Sequence, residues 1–264
     1  MSPREKISIL APTFNEERNI RACLETVRWA DEIVVVDSFS TDRTVEIARE
    51  FTDRILQHEY IHSAAQKNWA IPQVTHPWVM IVDSDERVTP ELRDEILGVL
   101  ENNRGLDGFR IRRINHFLGK RVRFCGWQHD AVLRLFRRDL GRYQEREVHA
   151  DVIVEGGRVG RLRGRLLHYT FDSFEQYLRK FDRYTTWASG DRAKRTPRVR
   201  WRHLALRPAW RFWRQYVLQL GFLDGLTGLV LCSLAAHSVF LKYAKLWERQ
   251  QTGEGKREKE KGKR

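Results

Sequence analysis

Three carboxylates stand within four residues at Asp83-Ser84-Asp85-Glu86, directly after the apolar run Trp78-Val79-Met80-Ile81-Val82. The run is short, β-branched and unalternated, which predicts a strand buried on both faces. In an open α/β sheet, ligands bind at the C-terminal ends of such strands. An Asp-x-Asp pair there presents hard oxygen ligands that suit Mg2+ or Mn2+ carrying a phosphate-bearing partner. The same residues also suit a solvated acidic turn, because Thr89-Pro90-Glu91 is a good helix start.

The elements that would position this cluster lie upstream. Ile7-Ser8-Ile9-Leu10-Ala11 predicts a first strand, followed by Pro12-Thr13-Phe14-Asn15-Glu16-Glu17 and a helical stretch. Glu32-Ile33-Val34-Val35-Val36 predicts a second strand that stops at Asp37-Ser38-Phe39-Ser40-Thr41-Asp42. Thr44 to Phe51 has helical spacing, and Arg54-Ile55-Leu56-Gln57 predicts a weaker third strand. Strands alternating with helices indicate βαβ units and a parallel sheet. Right-handed crossovers bring the ends of such strands to one edge, so three polar clusters in register suggest a nucleotide site.

These residues resemble the inverting family 2 glycosyltransferases of the GT-A fold. The likeness lies in Ala11-Pro12-Thr13-Phe14-Asn15-Glu16-Glu17, Val36-Asp37-Ser38-Phe39-Ser40-Thr41-Asp42, Gln66-Lys67-Asn68-Trp69-Ala70 and Asp83-Ser84-Asp85-Glu86. Within the family the chain looks most like enzymes that add sugar to the inner core of bacterial lipopolysaccharide. That branch also shows Gly126-Trp127-Gln128-His129-Asp130, Arg134-Leu135-Phe136-Arg137-Arg138, Val148-His149 and Leu166-Leu167-His168-Tyr169-Thr170. The resemblance runs from about residue 5 to residue 247.

The resemblance implies a role for each candidate. Asp85 becomes a direct metal ligand, and Asp83 lies nearer the ribose and the outer shell of the metal. Asp37 matches the position that hydrogen-bonds the nucleotide base. Asn15, Glu16 and the backbone of Ala11, Pro12 and Thr13 would form the pocket floor. Lys67 would meet base or phosphate, although alone it also reads as a solvated helix lysine. Many family members carry an acidic pair after a tryptophan, the second acid serving as base. Here that second position is Asp130, followed by Arg134, with Glu145 and Glu147 in reserve. Branch members often have Glu directly after the histidine at position 149, whereas this chain has Ala150. His168, at the end of a strand expected over Gly164 to Leu167, could contact metal or diphosphate or be structural. Arg134, Arg137 and Arg138 could meet phosphate, since the planar guanidinium suits it.

Composition sets the rest. The chain has 264 residues and a net charge of +13, enough length for one large α/β domain and an appendage. Cys23, Cys125 and Cys232 are odd in number and lack metal spacing, which suits a reducing cytosol. The charged N-terminus runs straight into a strand, so no signal peptide is expected. From Arg179 to Arg214 there are twelve Lys or Arg against two Asp, interleaved with Trp187, Trp201, Trp210 and Trp213. Arg207, Arg211 and Arg214 fall on one side of a helix, and Trp210, Trp213, Val217 and Leu220 share another. Basic residues opposite tryptophan and aliphatics describe a helix in an anionic membrane interface, or one packed on its own domain. No nucleic-acid motif accompanies the stretch, and it runs on into apolar sequence rather than a polar arm. Between Asp224 and His237 lie only twelve residues, short of the roughly twenty that a spanning helix needs. A monotopic or re-entrant segment is therefore expected ahead of a single span.

The expected architecture is an α/β, GT-A, mostly parallel sheet over residues 1–172. A helical membrane-associating region follows over 173–248, then a disordered tail over 249–264. The expected reaction moves a sugar, by resemblance glucose from a UDP-linked donor, to a lipid-linked saccharide acceptor such as the lipopolysaccharide core. Nucleic acid is not an expected partner. The expected location is the cytoplasm, peripherally attached to the cytoplasmic face of the inner membrane. Alternatives are a polyprenyl-phosphate sugar synthase or a nucleotidyltransferase using the same pocket, or a non-catalytic membrane- or nucleic-acid-binding protein. Nucleotidyltransferases usually carry a glycine-rich loop after the first strand, and Ala11 to Glu17 has no glycine. A non-catalytic reading needs lost carboxylates, and Asp37, Asp83, Asp85 and Asp130 are all present.

Overall fold

The apolar runs become strands and the stretches between them helices, in the order the alternation predicts. The computed structural model describes residues 4–103, 105–144, 151–171, 173–193 and 196–252. In chain order the first elements are β1 (Ile7–Thr13), α1 (Ile20–Glu25), β2 (Glu32–Asp37), α2 (Thr44–Ala48), β3 (Ile55–Gln57) and α3 (Ser63–Ala70). Then come β4 (Trp78–Ile81), β5 (Glu86–Val88), α4 (Pro90–Glu101), β6 (Gly108–Phe117), β7 (Lys120–Arg121) and β8 (Ala131–Arg137). β9 (Gly141–Tyr143), β10 (Val152–Val154) and β11 (Val159–Phe171) follow. The chain divides into two units: Met1–Asn115 with His129–Thr170, and His116–Gln128 with Phe171–Arg264. The segment 116–128 thus belongs with the C-terminal helices, although it lies inside the stretch expected as one transferase domain.

In the first unit the strands lie in the order β3-β2-β1-β4-β8-β6-β11-β5. β1 is parallel to β2 and β4, and β2 is parallel to β3. The α/β class holds, but parallel pairing stops at β4. β8 runs antiparallel to β4, β6 to β8, and β5 to β11. Parallel neighbours need a crossover, usually helical, and only β7 and a 3-10 turn at Trp127–His129 separate β6 from β8. The sheet is therefore mixed rather than mostly parallel.

Alternation along β1 explains why its sequence carries no polar face. Ile7, Ile9 and Ala11 pack with Ile20, Cys23 and Leu24 of α1 and with Leu92, Ile96 and Leu100 of α4. Leu10 points the other way, into a second cluster with Val34, Val36, Val79, Ile81 and Ala64 and Ala70 of α3. α4 begins where expected, the Thr89 side chain accepting from the Leu92 N–H at 3.3 Å. α2 stops at Ala48, shorter than the predicted run to Phe51. β11 extends well beyond Gly164–Leu167, so His168 stands inside a strand and not at its end. Gly164 is no breaker there: a Cβ at that position would lie 2.4 Å from the Cα of Leu92, so the glycine lets α4 close on the strand.

In the second unit, α5 (Phe174–Ala193), α6 (Trp201–Leu204) and α7 (Leu206–Trp213) precede α8 (Gly225–Thr252). The tail expected to be loose from residue 249 is helical to Thr252, and the remainder lies outside the described residues. Asp224, which interrupts the apolar run in sequence, caps a turn: its carboxylate accepts from the N–H groups of Arg123 and Phe124 at 2.8–3.1 Å. Around it Phe117, Val122, Cys125, Leu231 and Cys232 form one core, and Val199, Tyr243 and Leu246 another. All three cysteines are free and buried.

The basic side of α7 does not face outward as a block. Arg207 donates to the Tyr243 hydroxyl of α8 and lies 5.1 Å over its ring. Arg211 is half-buried, and that burial, then the nearby Arg214, holds its pKa below the usual arginine value. Arg207 and Arg214 stay exposed beside it, and the apolar side is exposed as well: Trp210 is 57% exposed and Trp213 44%. Among the described residues one helical stretch, Gly221–Thr252, is long and apolar enough to cross a membrane by length and composition. It nonetheless carries Leu231, Cys232, Tyr243 and Leu246 buried within its own unit.

Candidate active site

The C-terminal edge of the parallel strands is assembled by register. Thr13 at the end of β1 pairs with Asp37 at the end of β2, and Leu10 pairs with Ile81 of β4. The Ser84 hydroxyl then donates to the Pro12 carbonyl at 3.1 Å, tying the acidic turn to the loop after β1. Asp37 is fully buried; its carboxylate accepts from the Ser40 N–H at 3.1 Å and from Gln57 Nε2 at 3.4 Å. The loops after β1 and β2 lace together. The Asn15 N–H donates to Ser40 Oγ at 2.9 Å, the Thr41 N–H to Asn15 Oδ1 at 2.8 Å, and the Glu16 N–H to Thr44 Oγ1 at 2.8 Å. Asn15 adopts φ +52°, which asparagine tolerates better than most residues. Ala11, Pro12, Thr13, Asn15 and Glu16 thus share one edge with Asp37.

Beside them runs a line of alternating charge. Lys67, buried on α3, meets Asp83 Oδ1 at 2.8 Å. Arg134 on β8 takes Asp83 Oδ2 with the same Nη2 that lies 2.7 Å from Glu86 Oε1. Glu86 also accepts from the Asp83 N–H at 3.1 Å and lies 3.4 Å from Arg113 Nη1. Arg113 grips Asp130 with Nε and Nη2, both at 2.9 Å. Asn115 Nδ2 donates to Asp130 Oδ2 at 2.8 Å, and Asn115 Oδ1 lies 2.7 Å from His168 Nδ1. His168 Nε2 in turn lies 3.6 Å from Asp85 Oδ2.

Burial and charge compete along this line, and charge wins. Burial would raise the pKa of Asp83, but the charges of Arg134 and Lys67 outweigh it and hold the carboxyl well below the usual range. Burial likewise opposes the charged forms of Lys67 and Arg134, yet Asp83 raises both pKa values. Asp130 follows the same pattern: burial pushes it up, Arg113 and Asn115 pull it down further, and it stays ionised. Around Lys67, the Tyr143 ring lies 5.2 Å from the ammonium, and Asn68 pins the Tyr143 backbone in both directions at 2.8 and 2.9 Å.

The fold brings Lys67, Asp83, Asp85, Asp130, Arg134 and His168 to one connected cluster. It separates two arginines from them. Arg137 pairs with Glu5 at 2.5 Å, and Arg138 donates to the carbonyls of Val74 and Thr75 at 3.1 Å. β8 runs antiparallel to β4, so its start reaches the ligand edge while its last residues point to the opposite end. Glu145 and Glu147 lie outside the described residues.

For a cation, Asp85 and His168 are the expected ligands that face each other, whereas the carboxylate of Asp83 is held by Lys67 and Arg134. Among the described residues no three His, Cys, Asp or Glu side chains form a cage. A pair of ligands fits Mg2+ or Mn2+, which is ordinarily bound by one or two protein groups together with substrate phosphates.

The assignments missed Glu86, Arg113 and Asn115. A signal for the last two was present: Ile111, Asn115 and Phe117 are buried on alternate positions of β6, so Arg113 and Asn115 interrupt an apolar face.

Residues 8–160 match the model of glycosyl transferase family 2. Over 256 residues the chain is 30% identical to the lipopolysaccharide core biosynthesis glycosyltransferase LpsC of Rhizobium meliloti (strain 1021), covering 94% of each. It is 27% identical over 255 residues to an uncharacterized glycosyltransferase of Rickettsia typhi (strain ATCC VR-144 / Wilmington), covering 92% of this chain and 87% of that one. The crystal structure of Staphylococcus aureus TarS 1–349 superposes with a TM-score of 0.46 at 17% identity, over 94% of this chain and 92% of that one. The match spans every strand that delivers a carboxylate or cation to the ligand edge except β11, and on it this chain belongs to glycosyl transferase family 2, as a glycosyltransferase of GT-A fold.

Proposed function

We propose that this glycosyltransferase moves a sugar, glucose from a UDP-linked donor, to a hydroxyl of a lipid-linked glycan such as the lipopolysaccharide core, with inversion at the anomeric carbon. The observation that carries the reading is the line of opposite charges from Lys67 through Asp83, Arg134, Glu86 and Arg113 to Asp130, which Asn115 joins by hydrogen bonds to His168, 3.6 Å from Asp85. Such a line fixes charged groups before substrate arrives, which is what electrostatic stabilisation of a departing diphosphate requires.

Asp37 and the backbone of Ala11 to Thr13 would take the nucleotide base, with Asn15 and Glu16 shaping the floor. Asp83 would face the ribose, and Lys67 and Arg134 would offset phosphate charge. Mg2+ or Mn2+ would be held by Asp85 and His168; when bound it neutralises the leaving diphosphate. Asp130, ionised and held by Arg113 and Asn115, is the base that takes the acceptor proton, with Glu145 and Glu147, which lie outside the described residues, as the alternatives. The relative from Rhizobium meliloti, by its name a lipopolysaccharide core enzyme, supports that acceptor class. An enzyme acting on such an acceptor works at a membrane, and the exposed Trp201, Trp210 and Trp213 beside basic residues suit an anionic surface on the cytoplasmic face of the inner membrane. Peripheral attachment is favoured over a span, because α8 buries one face within its own unit.

The test is a panel of nucleotide-sugars with Mn2+ or Mg2+, read as nucleoside diphosphate release with and without a lipid-linked acceptor. Release from UDP-glucose that depends on acceptor and metal supports the proposal; release with no acceptor dependence from any donor sinks it. Asp130→Asn should keep nucleotide binding while transfer falls at least about a hundredfold, the scale of lost acid–base catalysis. Undiminished transfer would move the base to Glu145 or Glu147.

A further inference from the structure

Asn115 sits on β6, 3% exposed, between the carboxylate of Asp130 and the ring of His168. An ionised carboxylate only accepts hydrogen bonds, so the end of the amide at 2.8 Å from Asp130 must be the nitrogen. The end at 2.7 Å from His168 Nδ1 is then the oxygen, which also only accepts. The ring nitrogen facing it must carry the proton. In a neutral imidazole the lone pair is left on Nε2, the atom 3.6 Å from Asp85 Oδ2. That separation is too long for a hydrogen bond. Two acceptors face each other across it, an arrangement suited to a cation.

We propose that Asn115 is a positioning residue that fixes the Nδ1–H tautomer of His168, so that the ring presents its Nε2 lone pair beside Asp85; this rests on the metal-dependent reading of the site. Metal-binding histidines commonly donate their other N–H to an acceptor that sets tautomer and ring orientation, and Asn115 supplies that acceptor. Its own orientation is set from the other side, because Asp130 is already gripped by Arg113 at 2.9 Å. One amide therefore ties the base to the ligand pair. The opposite tautomer would set a ring lone pair against the amide oxygen.

The experiment uses full-length protein labelled with 15N-histidine and free of metal, at about pH 8, above the ordinary histidine pKa of about 6.5. Long-range proton–nitrogen correlation spectra report which ring nitrogen is protonated, and the signals missing in His168→Gln identify the residue. The expected pattern is a protonated Nδ1 and a bare Nε2; the reverse pattern overturns the proposal. Asn115→Leu should lose that preference and weaken Mn2+ binding in the presence of UDP, read by the EPR signal of free Mn2+, by about tenfold or more. Asn115→Asp keeps an acceptor for the ring and should keep the wild-type nitrogen pattern. A wild-type pattern and Mn2+ affinity in Asn115→Leu overturns the proposal, as does loss of the pattern in Asn115→Asp. Should the leucine variant fail to fold, the wild-type and aspartate spectra decide. Wild-type protein that shows the expected nitrogens but binds no Mn2+ with UDP defeats the metal reading and leaves the role of Asn115 standing.

Discussion

A single guanidinium nitrogen of Arg134 joins Glu86, at 2.7 Å, to Asp83. Glu86 is fully buried and Arg134 is 5% exposed, so neither can turn to water if the other is lost. Arg134→Ala should therefore cost about 3 kcal/mol, the low end of the usual penalty for breaking a buried pair, because Lys67 still meets Asp83 and Arg113 still lies 3.4 Å from Glu86. Urea denaturation of the variant measures it. Arg134→Lys should recover part of the loss, since lysine keeps the charge but lacks the fork.

Asp83 makes stability depend on acid. Its folded pKa lies below the ordinary 3.8, so the unfolded chain takes up the proton first as pH falls. Its contribution is complete above that value and is lost as pH drops through the lower folded pKa. Urea midpoints from about pH 6 down to about pH 2.5 should fall less steeply in Asp83→Asn than in wild type. Equal slopes would mean that Asp83 gains nothing from Lys67 and Arg134.

Gly164 has no room for a methyl group. A Cβ there would meet the Leu92 Cα at 2.4 Å and its backbone nitrogen at 2.8 Å, contacts that no rotamer relieves. Gly164→Ala should destabilise the first unit by about 1–3 kcal/mol through overpacking, read as a lowered melting temperature.

Trp210 and Trp213 stack with ring centroids 5.2 Å apart while staying largely exposed. Replacing both with alanine should leave the fold intact, because neither is buried in it. Binding to vesicles containing anionic lipid should weaken about tenfold or more, roughly 1.4 kcal/mol, from the apolar area no longer placed in the interface. Unchanged sedimentation with vesicles would rule this face out as the membrane contact.

Local pattern determined much of this protein. Unalternated β-branched runs ending in acid placed β1, β2 and β4 and their carboxylates, because a strand covered on both faces has no other place for charge than its ends. The same logic puts Asp37, Asp83 and Asp85 at one edge from the residue order alone. Tertiary structure decided which charges meet. Nothing local says that β8 runs antiparallel, yet that direction sends Arg134 into the cluster and Arg137 and Arg138 to the far end. Glu86 lies in the acidic turn by sequence, but its cation partners, like Arg113 and Asn115 themselves, come to it only through pairing between strands distant in sequence, and β11 returns His168 opposite Glu86. Likewise the helical periodicity of α7 separated tryptophans from arginines, but only tertiary packing set Arg207 against Tyr243 and half-buried Arg211. Sequence spacing fixes the side of an element on which a residue lies; the partner across from it is set by long-range pairing and burial.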